Sequence, residues 1–240
     1  MILLLDVGNT RVKWAWLDYL EVAPAGAIAH DATHRSWQSE IEADGHRPER
    51  VVASNVAGPA FAAALRQWAS SHFGLEPEFV MPAAAGFGVR NGYQTPAALG
   101  ADRWLGLVAA RRSSPTAACI VSSGSAFTVD ALDGGGRHLG GFIVPGLQMM
   151  LDAQAGLGPA TRWPAGTAFG KSVPDCAALM LSGLANRALA LLAAATGGPA
   201  RCILTGGDAP LVAAGIAQPV EIVPDLVLTG LAICATARAP

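Results

Sequence analysis

Two stretches of this chain, nearly half its length apart, follow one plan, and that duplication restricts the fold more than any other feature. Ile2-Leu3-Leu4-Leu5 runs into Asp6-Val7-Gly8-Asn9-Thr10 and returns as Arg11-Val12-Lys13-Trp14-Ala15-Trp16-Leu17. Cys119-Ile120-Val121 runs into Ser122-Ser123-Gly124-Ser125 and returns as Ala126-Phe127-Thr128-Val129-Asp130. Each is an apolar run suited to a strand covered on both faces, a small polar turn around glycine, and a β-rich return. Such internal symmetry predicts two repeated α/β lobes, with both turns at the mouth of one cleft.

The remaining segments fit that plan. Val51 to Asn55 reads as a strand feeding a helix with Phe61, Leu65 and Trp68 on one face, and Glu76 to Met81 as a further strand. Asn91-Gly92-Tyr93 opens an irregular loop through Pro96, and Gly100-Ala101-Asp102-Arg103-Trp104 leads a helix to Ala110. The character changes at Ser113-Ser114-Pro115, which places the lobes at 1–115 and 116–240. Beyond it, His138 to Val144 reads as a strand ending at Pro145-Gly146, and Cys176 to Thr196 as an Ala/Leu-rich helix. Arg201 to Leu204 is a strand before Thr205-Gly206-Gly207-Asp208, and Val227 to Ala237 a closing helix. Alternating strands and helices imply an α/β fold with mixed or mostly parallel sheets.

Composition narrows the function. Of 240 residues, 52% are apolar and 14% charged, so the chain buries a large core and wholesale disorder is excluded. No apolar run approaches the ~18 residues of a membrane span, and no signal peptide is evident, so no membrane partner is expected. The net charge is −2 and the lysines are Lys13 and Lys171, with no basic tract, so nucleic acid is not an expected partner. Cys119, Cys176, Cys202 and Cys234 match neither zinc nor redox spacing and read as buried thiols of a reducing cytoplasm. The histidines are scattered, and the tryptophans read as core and interface residues.

A phosphate-binding turn needs glycine for close backbone approach, hydroxyl or amide donors, and a carboxylate for the accompanying metal. Asp6-Val7-Gly8-Asn9-Thr10, with Lys13 following, supplies all of these, although an ordinary hairpin also uses such a turn. Ser123-Gly124-Ser125 and Gly206-Gly207 add two further glycine turns at strand C-termini, where open α/β sheets bind ligands. Asp102 and Arg103 offer a general base and an anion anchor; the alternative is a helix N-terminus where any acid is favoured. Gly166-Thr167-Ala168-Phe169-Gly170-Lys171-Ser172 imitates a P-loop but has the wrong spacing and no strand before it. Gly134-Gly135-Gly136 with Gly140-Gly141 reads as a loose hairpin and not as a dinucleotide fingerprint.

In order, these segments resemble the type III pantothenate kinases over nearly the whole chain. The family motif D-x-G-N-T-x-x-K is met by Asp6, Gly8, Asn9, Thr10 and Lys13, and G-x-D-R by Gly100, Asp102 and Arg103, with Tyr93 in the preceding loop. G-G-x-I-x-P-G is met by Gly140, Gly141, Ile143, Pro145 and Gly146, the late T-G-G by Thr205-Gly206-Gly207, and L-x-L-T-G-L by Leu226, Leu228, Thr229, Gly230 and Leu231. The resemblance implies an actin-like ATPase architecture, with two ribonuclease-H-like lobes of mixed sheet flanked by helices, as in the acetate and sugar kinase, Hsp70 and actin superfamily. It implies ATP-dependent phosphorylation of pantothenate to 4'-phosphopantothenate, the first step of coenzyme A synthesis, by a cytoplasmic homodimer.

Residue by residue, the resemblance assigns Asp6, Val7, Gly8, Asn9, Thr10, Arg11, Val12, Lys13 and Ser125 to ATP, and Asp6 to magnesium (Mg2+). Asp102 is the implied catalytic base, with Tyr93, Gly100, Ala101, Asp102 and Arg103 binding pantothenate. Two departures stand out. Ser122 replaces the family carboxylate associated with a monovalent cation, K+ or NH4+, which argues against a tightly held ion there. Lys171-Ser172-Val173-Pro174 puts Val173 where the family has a threonine that reaches the partner subunit's substrate, so either Ser172 substitutes or that contact is lost. Asp130 reads as structural or as a support behind the residues that contact the ligand. Another kinase of the superfamily, a non-catalytic nucleotide-binding regulator and a purely structural α/β protein stay open as alternatives.

Overall fold

The computed structural model describes residues 1–29, 36–155 and 173–237. They form two compact units, one of Met1–Arg112 with Asp225–Pro240 and one of Ser113–Pro224.

In the first unit, β1 (Ile2–Val7), β2 (Arg11–Asp18), β3 (Glu21–Ala29), β4 (Arg50–Asn55) and β5 (Glu78–Phe79) make a sheet ordered β3-β2-β1-β4-β5. The first three strands run antiparallel as a meander, and β4 and β5 join parallel. Leu3, Leu4 and Leu5 are all fully buried, as expected of a strand covered on both faces. Leu3, Leu5 and Val7 share a core with Trp14, Trp16 and the Phe61, Leu65 and Trp68 stripe of α2 (Pro59–Phe73). Proline opens α2, and Gly74 closes it in the left-handed region at φ 71°.

The sequence did not mark β3 or α1 (Ser36–Ala43). β3 is an edge strand of small residues, and Pro24 sits beside an irregularity in register, where an edge tolerates the missing N–H. The strand expected over Glu76 to Met81 is shorter, Glu78–Phe79. A two-stranded hairpin, β6 (Ala85–Gly86) and β7 (Val89–Arg90), turns at Phe87-Gly88, both at positive φ, before α3 (Ala101–Ser113).

The second unit repeats the scheme. Its β8 (Ala118–Ser123), β9 (Ala126–Leu132), β10 (His138–Pro145), β11 (Arg201–Thr205) and β12 (Val220–Ile222) are ordered β10-β9-β8-β11-β12, again an antiparallel meander joined by parallel strands. The sequence symmetry of the two turns is therefore a symmetry of whole sheets. Helices α4 (Leu147–Ala155), α5 (Val173–Thr196) and α6 (Ala209–Ala213) complete the unit. Gly134-Gly135-Gly136 lies in the β9–β10 hairpin, as expected, with Gly136 at φ 81°. Cys119 and Cys202, far apart in sequence, are direct neighbours on β8 and β11, and both are buried free thiols.

The last helix, α7 (Leu226–Thr236), corrects the boundary drawn in simple chain order. The 116–240 lobe would include it, but it packs on β1 and β4 of the first unit. The reason is its apolarity: LVLTGLAICAT carries no charge, and such a helix must be covered on several sides. The backbone of Gly230 lies against the carbonyl of Leu105 on α3, a contact a Cβ atom would forbid. Among the described residues, Asp175–Thr196 is long and apolar enough to cross a membrane by length and composition, an extent that short apolar runs understate. One of its faces, Ala177, Leu181, Ala185, Leu189 and Leu192, lies in the core of the second unit.

Candidate active site

Asp6 stands one residue before the C-terminal end of β1, in register with Lys13 on β2 and Ser54 on β4. The turn it leads into is closed by the Gly8 N–H donating to the Arg11 carbonyl at 3.0 Å. Gly8 keeps this closure uncrowded, because a Cβ would stand 3.3 Å from that same carbonyl. Asn9 and Thr10 are exposed at the tip, whereas Val7 and Val12 turn their side chains into the core. Only the backbone of those two valines is left to face a ligand.

The Asp6 carboxylate is unusual. Its Oδ1 is buried without a hydrogen-bond partner, and so is the hydroxyl of neighbouring Ser54. Burial, then the negative charge of Asp102, pushes the Asp6 carboxyl up to about 7. Lys13 pulls the other way, Asp225 adds a smaller upward push, and the Ser54 hydroxyl, which neighbours the carboxyl without closing a well-formed hydrogen bond, a downward one. Asp6, Asp102, Lys13 and Asp225 thus interact electrically within one unit. Lys13 Nζ lies 3.6 Å from Asp225 Oδ1 at the start of α7.

Asp102 occupies the first turn of α3, where its Oδ1 accepts from the Arg103 backbone N–H at 2.8 Å. Gly100 makes room for it, since a Cβ there would stand 2.5 Å from Asp102 Oδ1. Ala101 is buried, which fixes the start of the helix. Arg103 donates from Nη1 to the Tyr93 hydroxyl at 2.9 Å, with its guanidinium 5.7 Å from the ring centroid. The Tyr93 loop is braced by Asn91, whose side chain accepts from the Tyr93 N–H at 3.0 Å and donates to the Pro96 carbonyl at 3.2 Å.

In the second unit, the Gly124 N–H donates to Ala126 and the Gly146 N–H to the Ser125 carbonyl, both at 3.1 Å. Two separate motif glycines press on this turn. A Cβ at Gly146 would overlap the carbonyls of Gly124 and Ser125, and one at Gly206 (φ 97°) the backbone of Ser123. Ser122 holds the strand position that Asp6 holds in β1, and its register neighbours are Thr128 and Thr205. Asp130 is bonded to His138 Nε2 at 2.9 Å, a buried pair in keeping with a structural role.

Sequence reasoning missed Asp225, an acid at the first step of the helix bearing L-x-L-T-G-L. Its position before that motif was the available signal. The P-loop imitation at 166–172 lies outside the described residues, as do Trp163 and Lys171-Ser172; of Val173 and Pro174 the side chains are not described.

The family model of type III pantothenate kinases matches residues 2–176. Type III pantothenate kinases from Nitrosococcus oceani and Azoarcus sp. are 37% and 40% identical to this chain, covering 97% and 100% of it and 92% of each relative. A third, from Laribacter hongkongensis, is 38% identical and is covered to 97% in both directions. Among solved structures, the ROK family glucokinase from Streptomyces griseus, in complex with glucose and AMPPNP, matches at a TM-score of 0.52 and 12% identity. That match covers 96% of this chain and 97% of the glucokinase. The ethanolamine utilization protein EutJ from Carboxydothermus hydrogenoformans matches at 0.57 and 12% identity, covering 96% and 88%. These structural likenesses establish the fold, an α/β architecture with two five-stranded mixed sheets. The sequence matches establish more: this chain belongs to the type III pantothenate kinase family.

Proposed function

We propose that the chain transfers the γ-phosphoryl group of ATP to the primary hydroxyl of pantothenate, with Asp102 as general base. The product is 4'-phosphopantothenate, and the reaction is the first step of coenzyme A synthesis. The observation that carries the assignment of roles is the grouping of Asp6, Lys13 and Asp102 in one electrostatic cluster around a buried, donor-less carboxylate oxygen.

Phosphoryl transfer is mostly positioning and charge neutralisation. Gly8, Asn9, Thr10 and Lys13, with the backbone of Val7, Arg11 and Val12, bind the nucleotide phosphates. Ser125 offers a hydroxyl of the same kind on the second unit's turn. Asp6 fits a divalent cation. Its Oδ1 lacks any protein donor, and Mg2+ is held by one or two carboxylates together with phosphate oxygens and water. Bound there, Mg2+ neutralises phosphate charge. Asp102, on a helix whose start is fixed by Gly100 and buried Ala101, takes the proton of the pantothenate hydroxyl. Arg103 and Tyr93 hold the pantothenate carboxylate, a task that suits a guanidinium already oriented by a phenol.

The position for a monovalent cation lacks the charge that would hold one tightly. Ser122, Thr128 and Thr205 place neutral hydroxyls side by side where the family has a carboxylate, and no step is assigned to K+ or NH4+.

We assign the working form to a homodimer. Leu179, Met180, Leu184 and Leu191 are exposed on α5 around Arg187, and Ile143 is exposed on edge strand β10, large apolar side chains of the kind that mark an interface. A cytoplasmic location follows from the metabolic role, and the free cysteines accord with it.

One coupled assay tests the reading. ADP release is followed with pantothenate, with a panel of sugars and with no acceptor. Release that depends on pantothenate alone is expected; release with a sugar, or none with any acceptor, overturns it.

A further inference from the structure

The Lys13–Asp225 pair has no evident task in folding. Both side chains are about one-third exposed, and ion pairs of that exposure contribute little to stability. Asp225 sits at the N-cap of α7, yet its side chain makes no capping hydrogen bond. Its carboxylate is directed to Lys13 instead.

Lys13 has a second carboxylate beside it. It is the direct cross-strand neighbour of Asp6, and side chains so placed on one face of an antiparallel pair are within reach of each other. An ammonium on a flexible four-carbon stem would settle on Asp6 if nothing drew it elsewhere. Yet Asp6 Oδ1 has no donor. Asp225 is also well placed to be a fixed anchor. The helix it begins is buried through Leu226, Leu228 and Leu231, and Gly230 seats that helix directly on α3.

We infer that Asp225 is a positioning residue: it draws the Lys13 ammonium toward the start of α7, which leaves the Asp6 carboxylate open to the divalent cation of the nucleotide. Asp225 touches neither cation nor nucleotide in this scheme; it acts through Lys13. The inference rests on the nucleotide-binding reading above.

The test compares Asp225→Asn, Asp225→Glu, Lys13→Met and the Lys13→Met/Asp225→Asn double variant. Mg-ATP binding is measured by calorimetry, and the Mg2+ concentration for half-maximal rate by the coupled assay. Asp225→Asn is expected to weaken both by about 10–100-fold, the usual effect of losing a residue that orients a metal site. The KM for pantothenate should stay within about twofold, because ground-state binding of the acceptor is untouched. Asp225→Glu restores most of the loss. The double variant depends on Mg2+ as Lys13→Met alone does, since residues acting through one another are not additive. If Asp225→Asn proves unstable, Asp225→Ser keeps a capping residue and gives the same reading.

Unchanged Mg2+ dependence in a folded Asp225 variant overturns the inference, and so does full additivity in the double variant. Failure of the unaltered protein to release ADP with pantothenate overturns the kinase reading instead, and calorimetry still tests the inference.

Discussion

Asp6→Asn should stabilise the ligand-free protein at alkaline pH while abolishing its activity. Burial raises the Asp6 carboxyl from its ordinary 3.8 to about 7, so the folded state holds a proton that the unfolded chain releases. Between these values the folded state binds more protons than the unfolded one, and stability falls as pH rises. The penalty is complete above about pH 7. A shift of roughly three pH units corresponds to about 4 kcal/mol, an upper limit because water reaching this half-buried residue screens the charge. Of that, about 3 kcal/mol accumulates between pH 5 and pH 8.

An asparagine amide brings its own cost or gain. Its N–H2 needs a partner, and the donor-less Ser54 hydroxyl is beside it to accept. That contribution does not vary with pH, so the diagnostic quantity is the pH slope of the difference between variant and parent. Calorimetric melting in chelator, without nucleotide, should show the variant's advantage growing by about 6–12 °C from pH 5 to pH 8, if the whole chain melts as one transition. A difference in Tm that stays constant over this range would refute an ionisable, strained Asp6.

Other outcomes follow from the same geometry. Asp102→Asn should keep the fold and lower kcat by about 10²–10⁴, the usual contribution of a placed base, and near-parental turnover would remove Asp102 from that role. Tyr93→Phe should raise the pantothenate KM by about tenfold with the ATP KM unchanged, because Arg103 loses the hydroxyl that orients it; an equal effect on ATP would contradict the assignment. Gly206→Ala should lower stability in urea by about 1–3 kcal/mol, from a left-handed backbone pressed on Ser123, and an unmoved midpoint would mean the turn can yield. Replacing KCl by choline chloride should leave the rate unchanged, whereas Ser122→Asp should make it respond to K+. A large fall in the unaltered protein would show that an ion is held without the carboxylate.

Much of this was legible in the sequence because the signals are local. An apolar run, a glycine turn and an apolar return specify a hairpin wherever they occur, and the Gly100-Ala101-Asp102-Arg103 start of α3 is local in the same way, since a side chain at Gly100 would crowd the Asp102 carboxylate out of its observed place. The edge strand β3 was not legible, because small residues around Pro24 give no hydrophobic alternation, and its place depends on Trp14 and the neighbouring strand.

The letters alone determined the family, the two hairpins and the residues at their turns, because short-range pattern and steric demand are written residue by residue. Only the tertiary structure decided that α7 packs with the first unit, that Gly146 and Gly206 are motif glycines because they press on one turn, and that Asp225 shares Lys13 with the Asp6 neighbourhood. Those facts join residues far apart in the chain. The raised pKa of Asp6 is of the same kind: it comes from burial and from the charges of Asp102 and Asp225, opposed by Lys13, which a linear sequence cannot bring together.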